Sequence, residues 1–328
     1  TAAGAAMIEY TNAVETHQLA RTFGHFSAVQ GVDFYVPKGE IFGLLGPNGA
    51  GKTTIIRMLC GILKPSGGTA TVLGYDVMRD PEQIKKRIGY MSQKFSLYND
   101  LTPRENLMFY ASVYSVPAEK RAQTVDRLID MAGLKDYQTQ RTGQISGAWR
   151  QRLALACAIV HHPPMLFLDE PTAGVDPISR REFWNMVYEM AGEGVSVLAT
   201  THYMDEAEYC NTIGMMYQGK LIALASPDTL RDQLPGVLFN IECDRPLDAE
   251  AALDGQPGVL DASVHGVQLH VLVNSLEDQP RVMERLVEQN IHVNRMDVSQ
   301  PSLEDVFIYL IEQRRLKVSA GGNKALEE

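Results

Sequence analysis

The sequence is poor in cysteine and has no excess of basic residues. Four cysteines lie far apart in 328 residues and form no CxxC pair, which excludes a disulfide-stapled scaffold and favours buried thiols over a zinc site. Lysine and arginine number 30 against 40 aspartates and glutamates, a net charge of −10. Because nucleic-acid binding usually requires a basic surface, we do not expect a nucleic-acid partner.

Long apolar runs are also absent. The longest uncharged stretch, residues 153–168, is interrupted by His161-His162-Pro163-Pro164 and is shorter than the roughly 20 apolar residues that span a bilayer. We therefore expect no membrane-spanning segment. Residues 1–6, TAAGAA, lack the basic and apolar parts of a secretion signal, and we interpret residues 1–7 as a tag or linker.

Strand-like apolar runs alternate with helical patterns over residues 8–234, which is typical of an α/β domain with a largely parallel sheet. Ile41–Leu45 and residues 165–168 and 195–199 are continuously apolar. Such runs predict central strands covered by helices on both faces. Thr102-Pro103-Arg104-Glu105 is a capping box that predicts a helix start, inside a helical insertion over about residues 94–160.

The pattern changes after Leu234-Pro235-Gly236. Residues 237–315 read as strand, helix, two strands, helix and strand followed by a last helix, which predicts a ferredoxin-like α+β unit. We expect this unit to be an accessory or regulatory domain, because it contains no catalytic motif. Residues 316–328 are small and polar, and we expect a flexible tail there.

A phosphate-binding motif follows the first predicted central strand. The sequence Gly46-Pro47-Asn48-Gly49-Ala50-Gly51-Lys52-Thr53, continued by Thr54, matches GxxxxGK[ST] and precedes a predicted helix. In such a loop the glycines let backbone N–H groups surround a polyphosphate, and the lysine reaches the β and γ phosphates. The hydroxyl of Thr53 is a Mg²⁺ ligand. The motif therefore predicts ATP and Mg²⁺ as ligands.

Two carboxylates end the second predicted central strand. Asp169 and Glu170 come directly after its apolar residues, and the carboxyl end of a central parallel strand faces the ligand crevice of such folds. Asp169 can hold Mg²⁺, and Glu170 can deprotonate the attacking water as a general base. The residues therefore predict phosphoryl transfer to water.

The segment Ile145-Ser146-Gly147-Ala148-Trp149-Arg150-Gln151-Arg152 resembles the LSGGxxQR signature of ABC transporter ATP-binding subunits. Ser146 is also a natural N-cap, and a helix N-terminus attracts anions. The resemblance, which covers about residues 15–225, implies that Ser146, Gly147 and Ala148 bind the γ-phosphate held by a second subunit. Ala148 replaces a glycine that is common in the family, and we expect its methyl group to weaken ATP binding there.

Four further residues match family motifs in the same order along the chain. The resemblance implies that Gln93 approaches the Mg²⁺ and the water, that Asp176 crosses the dimer interface, and that His202 contacts the γ-phosphate. It also implies that Phe23 stacks on adenine. The fold implied is a P-loop ABC-type nucleotide-binding domain of the α/β class with a helical insertion, followed by the small C-terminal α+β domain.

Within this family, the runs at residues 39–54, 170–177 and 201–208 and the segment PSLEDVF at 301–307 are similar to drug-export ATPases of the daunorubicin-resistance type. This similarity implies ATP hydrolysis at the cytoplasmic face of the membrane, a second ATPase subunit, integral permease subunits and, as a further candidate, a membrane-fusion protein. The implied cargo is a drug or another small amphipathic molecule. The alternative that stays open is a non-transport ABC ATPase or a tandem-domain fragment in a soluble complex.

The helical insertion is the expected docking surface for a permease. Aromatic and apolar residues follow the glutamine at position 93 and suit a groove for a permease helix: Phe95, Leu97, Tyr98, Leu101, Phe109, Tyr110 and Tyr114. The alternative is that these side chains form the ordinary core of the insertion.

Overall fold

The computed structural model describes residues 10–94 and 96–324, and the side chains of the last helix through residue 314. It divides into two compact units that meet between Ser226 and Pro227. Each unit has its own sheet system, and each is described separately below.

Among its described residues, the first unit contains ten strands and seven α-helices. The strands are β1 (Asn12–Phe23), β2 (Phe26–Pro37), β3 (Ile41–Leu45), β4 (Gly67–Val72), β5 (Tyr75–Asp76), β6 (Ile88–Met91), β7 (Met165–Asp169), β8 (Ser196–Thr201), β9 (Thr212–Tyr217) and β10 (Lys220–Ala225). The helices are α1 (Lys52–Leu59), α2 (Pro81–Lys85), α3 (Pro103–Val113), α4 (Ala118–Met131), α5 (Gly147–Ala158), α6 (Pro177–Gly192) and α7 (Met204–Ala207).

A six-stranded sheet forms the centre of this unit, in the order β10-β9-β3-β8-β7-β6. Every neighbouring pair from β9 to β6 is parallel, and only β10 runs antiparallel. All residues of β3, β7 and β8 are buried, because helices cover both faces of a parallel sheet. The three predicted central strands are therefore confirmed.

A second, antiparallel sheet packs against the first. Its order is β2-β1-β4-β5, and one hydrophobic cluster joins it to β3 and α1. Within that cluster the rings of Phe34 and Phe42 stack with centroids 5.0 Å apart. The helix that follows the phosphate motif is thus fixed between two sheets.

The predicted capping box begins α3. The Glu105 backbone N–H donates to Thr102 Oγ1, and the Thr102 N–H donates to the Glu105 carboxylate at 2.8 Å. Asn106 is fully buried and donates to the carbonyls of Tyr98 and Thr102 and to the hydroxyl of Thr142. The insertion is therefore anchored by a satisfied buried amide as well as by apolar packing.

The second unit is a four-stranded antiparallel sheet with helices. Its elements are α8 (Pro227–Asp232), β11 (Val237–Cys243), α9 (Pro246–Leu253), β12 (Val259–His265), β13 (Gln268–Val273), α10 (Gln279–Glu288), β14 (Val293–Ser299) and α11 (Leu303–Lys324). The strand order β12-β13-β11-β14 with all pairs antiparallel is that of a split βαβ fold. The ferredoxin-like prediction is confirmed.

Two boundaries differ from those expected. The boundary between the two units falls between residues 226 and 227, earlier in the chain than the predicted boundary at Leu234-Pro235-Gly236. Helix α8 contacts α11 and therefore groups with the second unit. The last helix continues to Lys324, past residue 316, where the sequence predicted a tail; the flexibility of residues 316–324 stays a prediction. Extending an existing helix avoids the cost of a new helical nucleus. Residues 325–328 and 1–9 lie outside the described residues.

The four cysteines are unpaired and buried, as predicted from their spacing. Burial raises the pKa of the Cys60 and Cys157 thiols, so they remain protonated and act as small apolar side chains. Among the described residues, no helix is both long enough and apolar enough to cross a membrane.

Candidate functional site

The glycine-rich loop lies between β3 and the start of α1, and two of its glycines are required sterically. A Cβ atom on Gly46 would lie 2.2 Å from the Met216 carbonyl oxygen. Gly51 has a φ of +103°, and a Cβ atom there would lie 2.5 Å from the Ala28 carbonyl oxygen. The close approach of β9 and β2 therefore forces the loop to be glycine at these positions.

Lys52 points back into this loop. Its Nζ donates to the carbonyls of Gly46 at 2.6 Å and Pro47 at 3.1 Å and lies 3.6 Å from Glu170 Oε1. Burial lowers the pKa of Lys52, and the charge of Glu170 opposes that shift. The ammonium group is thus held within the loop, where it can meet an anionic ligand.

Asp169, the last residue of β7, connects the loop to the central sheet. Its Oδ1 accepts hydrogen bonds from Thr53 Oγ1 at 2.9 Å and from Thr200 Oγ1 at 2.8 Å. Burial raises the pKa of Asp169, and the hydrogen bonds from Thr200 and Thr53 oppose that shift. A carboxylate beside a hydroxyl is the hard oxygen donor set that Mg²⁺ prefers, so these residues fit a magnesium ion.

Three other side chains approach the carboxylate of Glu170. Its Oε2 accepts a hydrogen bond from Gln93 Nε2 at 3.0 Å and lies 3.6 Å from His202 Nδ1, while Oε1 faces Lys52. Glu170 has a φ of +48°, and its N–H donates to the Thr200 carbonyl at 3.2 Å and the Thr200 hydroxyl at 2.9 Å. This left-handed backbone aims the carboxylate into the site at a conformational cost.

A cavity of about 410 Å³ opens beside these groups. Its walls come from the hairpin of β1 and β2, the end of the glycine-rich loop, the start of α1 and two single residues from other segments. The lining residues are Phe23, Phe26, Ala28, Asn48, Gly49, Ala50, Gly51, Lys52, Thr53, Thr54, Gln93 and Glu170. The structure therefore brings together the loop, the carboxylate, the glutamine and the aromatic ring predicted from sequence.

Phe26 also lines this cavity and was not predicted. It lies opposite Phe23 across the hairpin of β1 and β2, and it is 63% exposed against 44% for Phe23. The Arg21 guanidinium lies 4.5 Å from the Phe23 ring centroid and covers part of that ring, so the Phe26 ring is the more exposed of the two. A hairpin turn between the two phenylalanines was the available signal.

The signature residues lie elsewhere on the first unit. Ser146 precedes α5, makes no side-chain capping bond and is exposed, as is Gly147. A Cβ atom on Gly147 would meet nothing within 4 Å. Among the described residues that line the cavity, Ser146, Gly147, Ala148 and Asp176 are absent. In one copy of the chain, the glycine-rich loop and the signature segment are therefore two separate features.

Asp176 is the N-cap of α6. Its Oδ1 accepts from the backbone N–H groups of Ile178 at 3.1 Å and Ser179 at 3.0 Å, and the bond from Ser179 contributes most to lowering the pKa of this carboxyl. Trp149, which follows Ala148 in the signature segment, packs on Tyr137 with ring centroids 4.8 Å apart and on the Arg152 guanidinium.

The glycine-rich loop, the strand-end carboxylates and the separate signature helix together define an ABC-type ATP-binding cassette. A family profile described as ABC transporter matches residues 29–173, and one described as ATP-binding protein DrrA1-3-like, C-terminal domain, matches residues 226–311. The structure is similar to that of cbiO1 from Clostridium perfringens, with a TM-score of 0.63 and 26% identity over 68% of this chain and 92% of that one.

The match to this chain covers very different shares of two curated relatives. The daunorubicin/doxorubicin resistance ATP-binding protein DrrA of Streptomyces peucetius is 35% identical over 308 residues, 92% of each chain. The probable multidrug ABC transporter ATP-binding protein YbhF of Escherichia coli is 49% identical over 220 residues, which are 67% of this chain but only 38% of that protein. The chain belongs to the ABC transporter ATP-binding proteins, a family of ATPases, and carries a DrrA-like C-terminal domain. The resemblance stated from the sequence is confirmed.

We predict that Thr200→Val weakens Mg²⁺ binding in the presence of ATP by roughly tenfold or more, because a hydrogen bond to a charged group contributes about 1.5–3 kcal/mol. The change also removes a hydrogen bond that lowers the pKa of Asp169, so this pKa should be higher in the variant. Mg²⁺ requires the ionised carboxylate, so affinity falls as pH decreases through that pKa, and in the variant this fall begins at a higher pH. Calorimetric titration at several pH values measures both effects.

Thr200→Ser is the matched control, since it keeps the hydroxyl and should retain the affinity and pH profile of the unmodified chain. Thr200 is fully buried and valine has nearly the same shape, so circular dichroism should show an intact fold. An unchanged pH profile in Thr200→Val would contradict the role given to this hydroxyl.

Proposed function

We propose that this chain is the ATP-hydrolysing subunit of an export complex, bound at the cytoplasmic face of the membrane, and that it powers transport through separate permease subunits. The observation that carries the proposal is the position of Glu170. Its carboxylate accepts from Gln93 and lies 3.6 Å from both Lys52 and His202, at the edge of a cavity large enough for a nucleotide.

In the proposed reaction, Glu170 accepts a proton from the water that attacks the γ-phosphate. Lys52 releases the loop carbonyls and stabilises phosphate charge, and His202 contacts the same phosphate. Thr53, Asp169 and Gln93 would hold Mg²⁺, which supplies charge neutralisation to the phosphates. Gln93 also orients Glu170, because its amide donates directly to the carboxylate.

The proposed active unit is a pair of ATPase domains, either two copies of this chain or a tandem partner. Ser146 and Gly147 lie exposed at the start of α5, with Ala148 next to them half-buried, and Gly147 has open space in front of its Cα atom. Such a helix start attracts phosphate. Because it does not line its own chain's cavity, we assign it to the ATP bound by the partner subunit, with Asp176 at the same interface.

We expect Glu170→Gln to reduce the ATPase rate by at least about 100-fold, within the usual range for loss of a general base. Glutamine keeps the shape and can still pair with Gln93, so ATP should remain bound and hold two chains together. Steady-state phosphate release and size-exclusion chromatography with ATP measure the two effects.

Glu82→Gln serves as the control, because Glu82 is an exposed carboxylate that pairs only with Lys85 among the described residues. It should leave rate and assembly unchanged. Rapid turnover in Glu170→Gln would refute the assignment of the base.

Ala148→Gly is expected to strengthen ATP binding by the paired domains up to about fivefold, equivalent to about 1 kcal/mol. The substitution removes a methyl group beside the expected phosphate position and keeps the backbone N–H. Because glycine lowers helix stability by about 1 kcal/mol relative to alanine, thermal melting is measured alongside ATP affinity. An unchanged ATPase rate together with an unchanged ATP affinity would contradict the predicted effect of this methyl group.

The helical insertion supplies the proposed permease-docking surface. Of its six described aromatic and apolar candidates, none is fully buried, and Phe95 lies outside the described residues. Leu97, Tyr110 and Tyr114 line a groove of about 300 Å³ together with Tyr90 and Met91. Tyr98 is 47% exposed and contacts Phe109 with ring centroids 4.7 Å apart. An apolar groove with exposed rings at this position suits a helix from the permease.

Tyr98→Ala should leave a folded subunit with an unchanged basal ATPase rate but with reduced binding to the permease. The backbone of Tyr98 is held by the side chain of Asn106, so removing the ring leaves that anchor in place. Pull-down with membrane extracts and ATPase stimulation by the permease measure the loss.

Tyr35→Ala, which removes a ring that is 57% exposed on β2 outside the insertion, is the control and should bind normally. Unfolding of Tyr98→Ala would support the alternative that the ring belongs to the core of the insertion. Normal permease binding would contradict docking at this surface.

The proposed cargo is a drug or another small amphipathic molecule, because the relatives include proteins named for daunorubicin, doxorubicin and linearmycin resistance and for Nod factor export. The second candidate is a tandem-domain ATPase or a member of a soluble complex. It is supported by the length of YbhF, because the match to this chain covers only 38% of that protein. Co-purification from membranes, followed by identification of integral subunits and of any membrane-fusion protein, distinguishes the two.

A further inference from the structure

Three metal-type ligands meet in the second unit, outside the nucleotide site. His265 ends β12, His270 lies on β13 and Asp305 lies in the first turn of α11. Each offers one ligand atom, and these atoms lie within 4.8 Å of one another. Their sequence separation is as large as 40 residues, so the fold itself brings them together.

Asp305 is the fixed member of the group. Its side chain is 4% exposed, and its Oδ2 accepts from the Ser302 backbone N–H at 2.7 Å and hydroxyl at 2.6 Å. The other oxygen, Oδ1, lies 2.6 Å from His270 Nδ1 and 3.5 Å from His265 Nε2. Both imidazoles therefore converge on one carboxylate oxygen whose position is set by the helix cap.

The two imidazoles are held in a partly buried, polar setting. Each is 15% exposed, and the rings stack with centroids 4.2 Å apart. Ser263 Oγ lies 3.1 Å from His265 Nε2. On the other side of the same ring, His265 Nδ1 faces Glu304 Oε2 at 3.7 Å, which is the arrangement in which a carboxylate orients a metal-binding histidine.

The surroundings carry more negative than positive charge. In the part of the chain that the structure describes, the only ion pairs of Asp305 are with these two imidazoles. Asp261 interacts electrostatically with Glu312 and with Asp305. A doubly charged cation would compensate the negative charge of this carboxylate cluster.

We propose that His265, His270 and Asp305 bind a divalent transition-metal ion of the zinc type. Two imidazoles and one carboxylate are a common protein ligand set for such ions, with an open fourth position for water. At metal–ligand distances of about 2.1 Å, tetrahedral ligand atoms lie about 3.4 Å apart. Binding therefore requires Nδ1 of His270 and Oδ1 of Asp305 to separate from 2.6 Å, a small side-chain rotation.

The ligands come from three elements of the same unit. The ion would cross-link the β12 and β13 hairpin to the first turn of α11, where Asp305 lies. Because the site exists only in the folded unit, binding raises the stability of that unit. The proposal is independent of ATP hydrolysis, and either can fail without the other.

The test uses the full chain with excess Mg²⁺, which occupies the nucleotide site, and titrates zinc sulfate by calorimetry. We expect one Zn²⁺ per chain, an affinity loss of at least about tenfold in both His265→Ala and His270→Ala, and a higher melting temperature with zinc in the unmodified chain. His292→Ala removes an exposed histidine of the same unit and should bind zinc normally.

X-ray absorption of the zinc-loaded unmodified chain gives a readout that needs no variant to fold, and we expect two imidazoles and oxygen ligands at the metal. Absence of zinc binding, unchanged affinity in both histidine variants, or a metal environment without two imidazoles would each overturn the proposal. Loss of binding in His292→Ala would also overturn it, because the metal would then lie elsewhere.

Discussion

The first unit depends on the hydrogen bonds that two threonine hydroxyls donate to one buried carboxylate oxygen. Asp169 accepts from Thr53 at the start of α1 and from Thr200 near the end of β8, so one atom joins the glycine-rich loop to two central strands. Burial makes ionisation of this carboxyl costly, and the two donors offset that cost. A divalent cation near Asp169 thus meets a carboxylate that is already oriented.

The features that depend on local pattern could be predicted from the sequence. Continuous apolar runs such as Ile41–Leu45 indicate strands buried on both faces, and the capping box at Thr102 marks the start of α3, because both signals depend on neighbouring residues alone. The motifs around Lys52, Asp169 and Glu170 predicted a site at the carboxyl ends of central parallel strands. The structure places Lys52 beside Glu170 and Thr53 beside Asp169.

Features that depend on tertiary contacts could not be predicted in this way. Phe26 joins the cavity because the β1 and β2 hairpin pairs it with Phe23; a hairpin can be suspected from the sequence, but its position beside the phosphate loop cannot. His265 and His270 are near in sequence, but Asp305 reaches them only because the fold brings the first turn of α11 beside them. The continuation of that helix to Lys324 likewise differs from the tail that the local composition predicts.

The last residues of β8 support three parts of the site at once. The Glu170 backbone N–H is held by Thr200, the Gly46 N–H donates to the Thr201 carbonyl at 3.3 Å, and His202 follows directly. A small displacement of this strand tip therefore moves the proposed base, the first glycine of the phosphate loop and the histidine together. If His202 contacts the γ-phosphate as proposed, release of that phosphate would act directly on the proposed base and on the phosphate loop, without any separate relay.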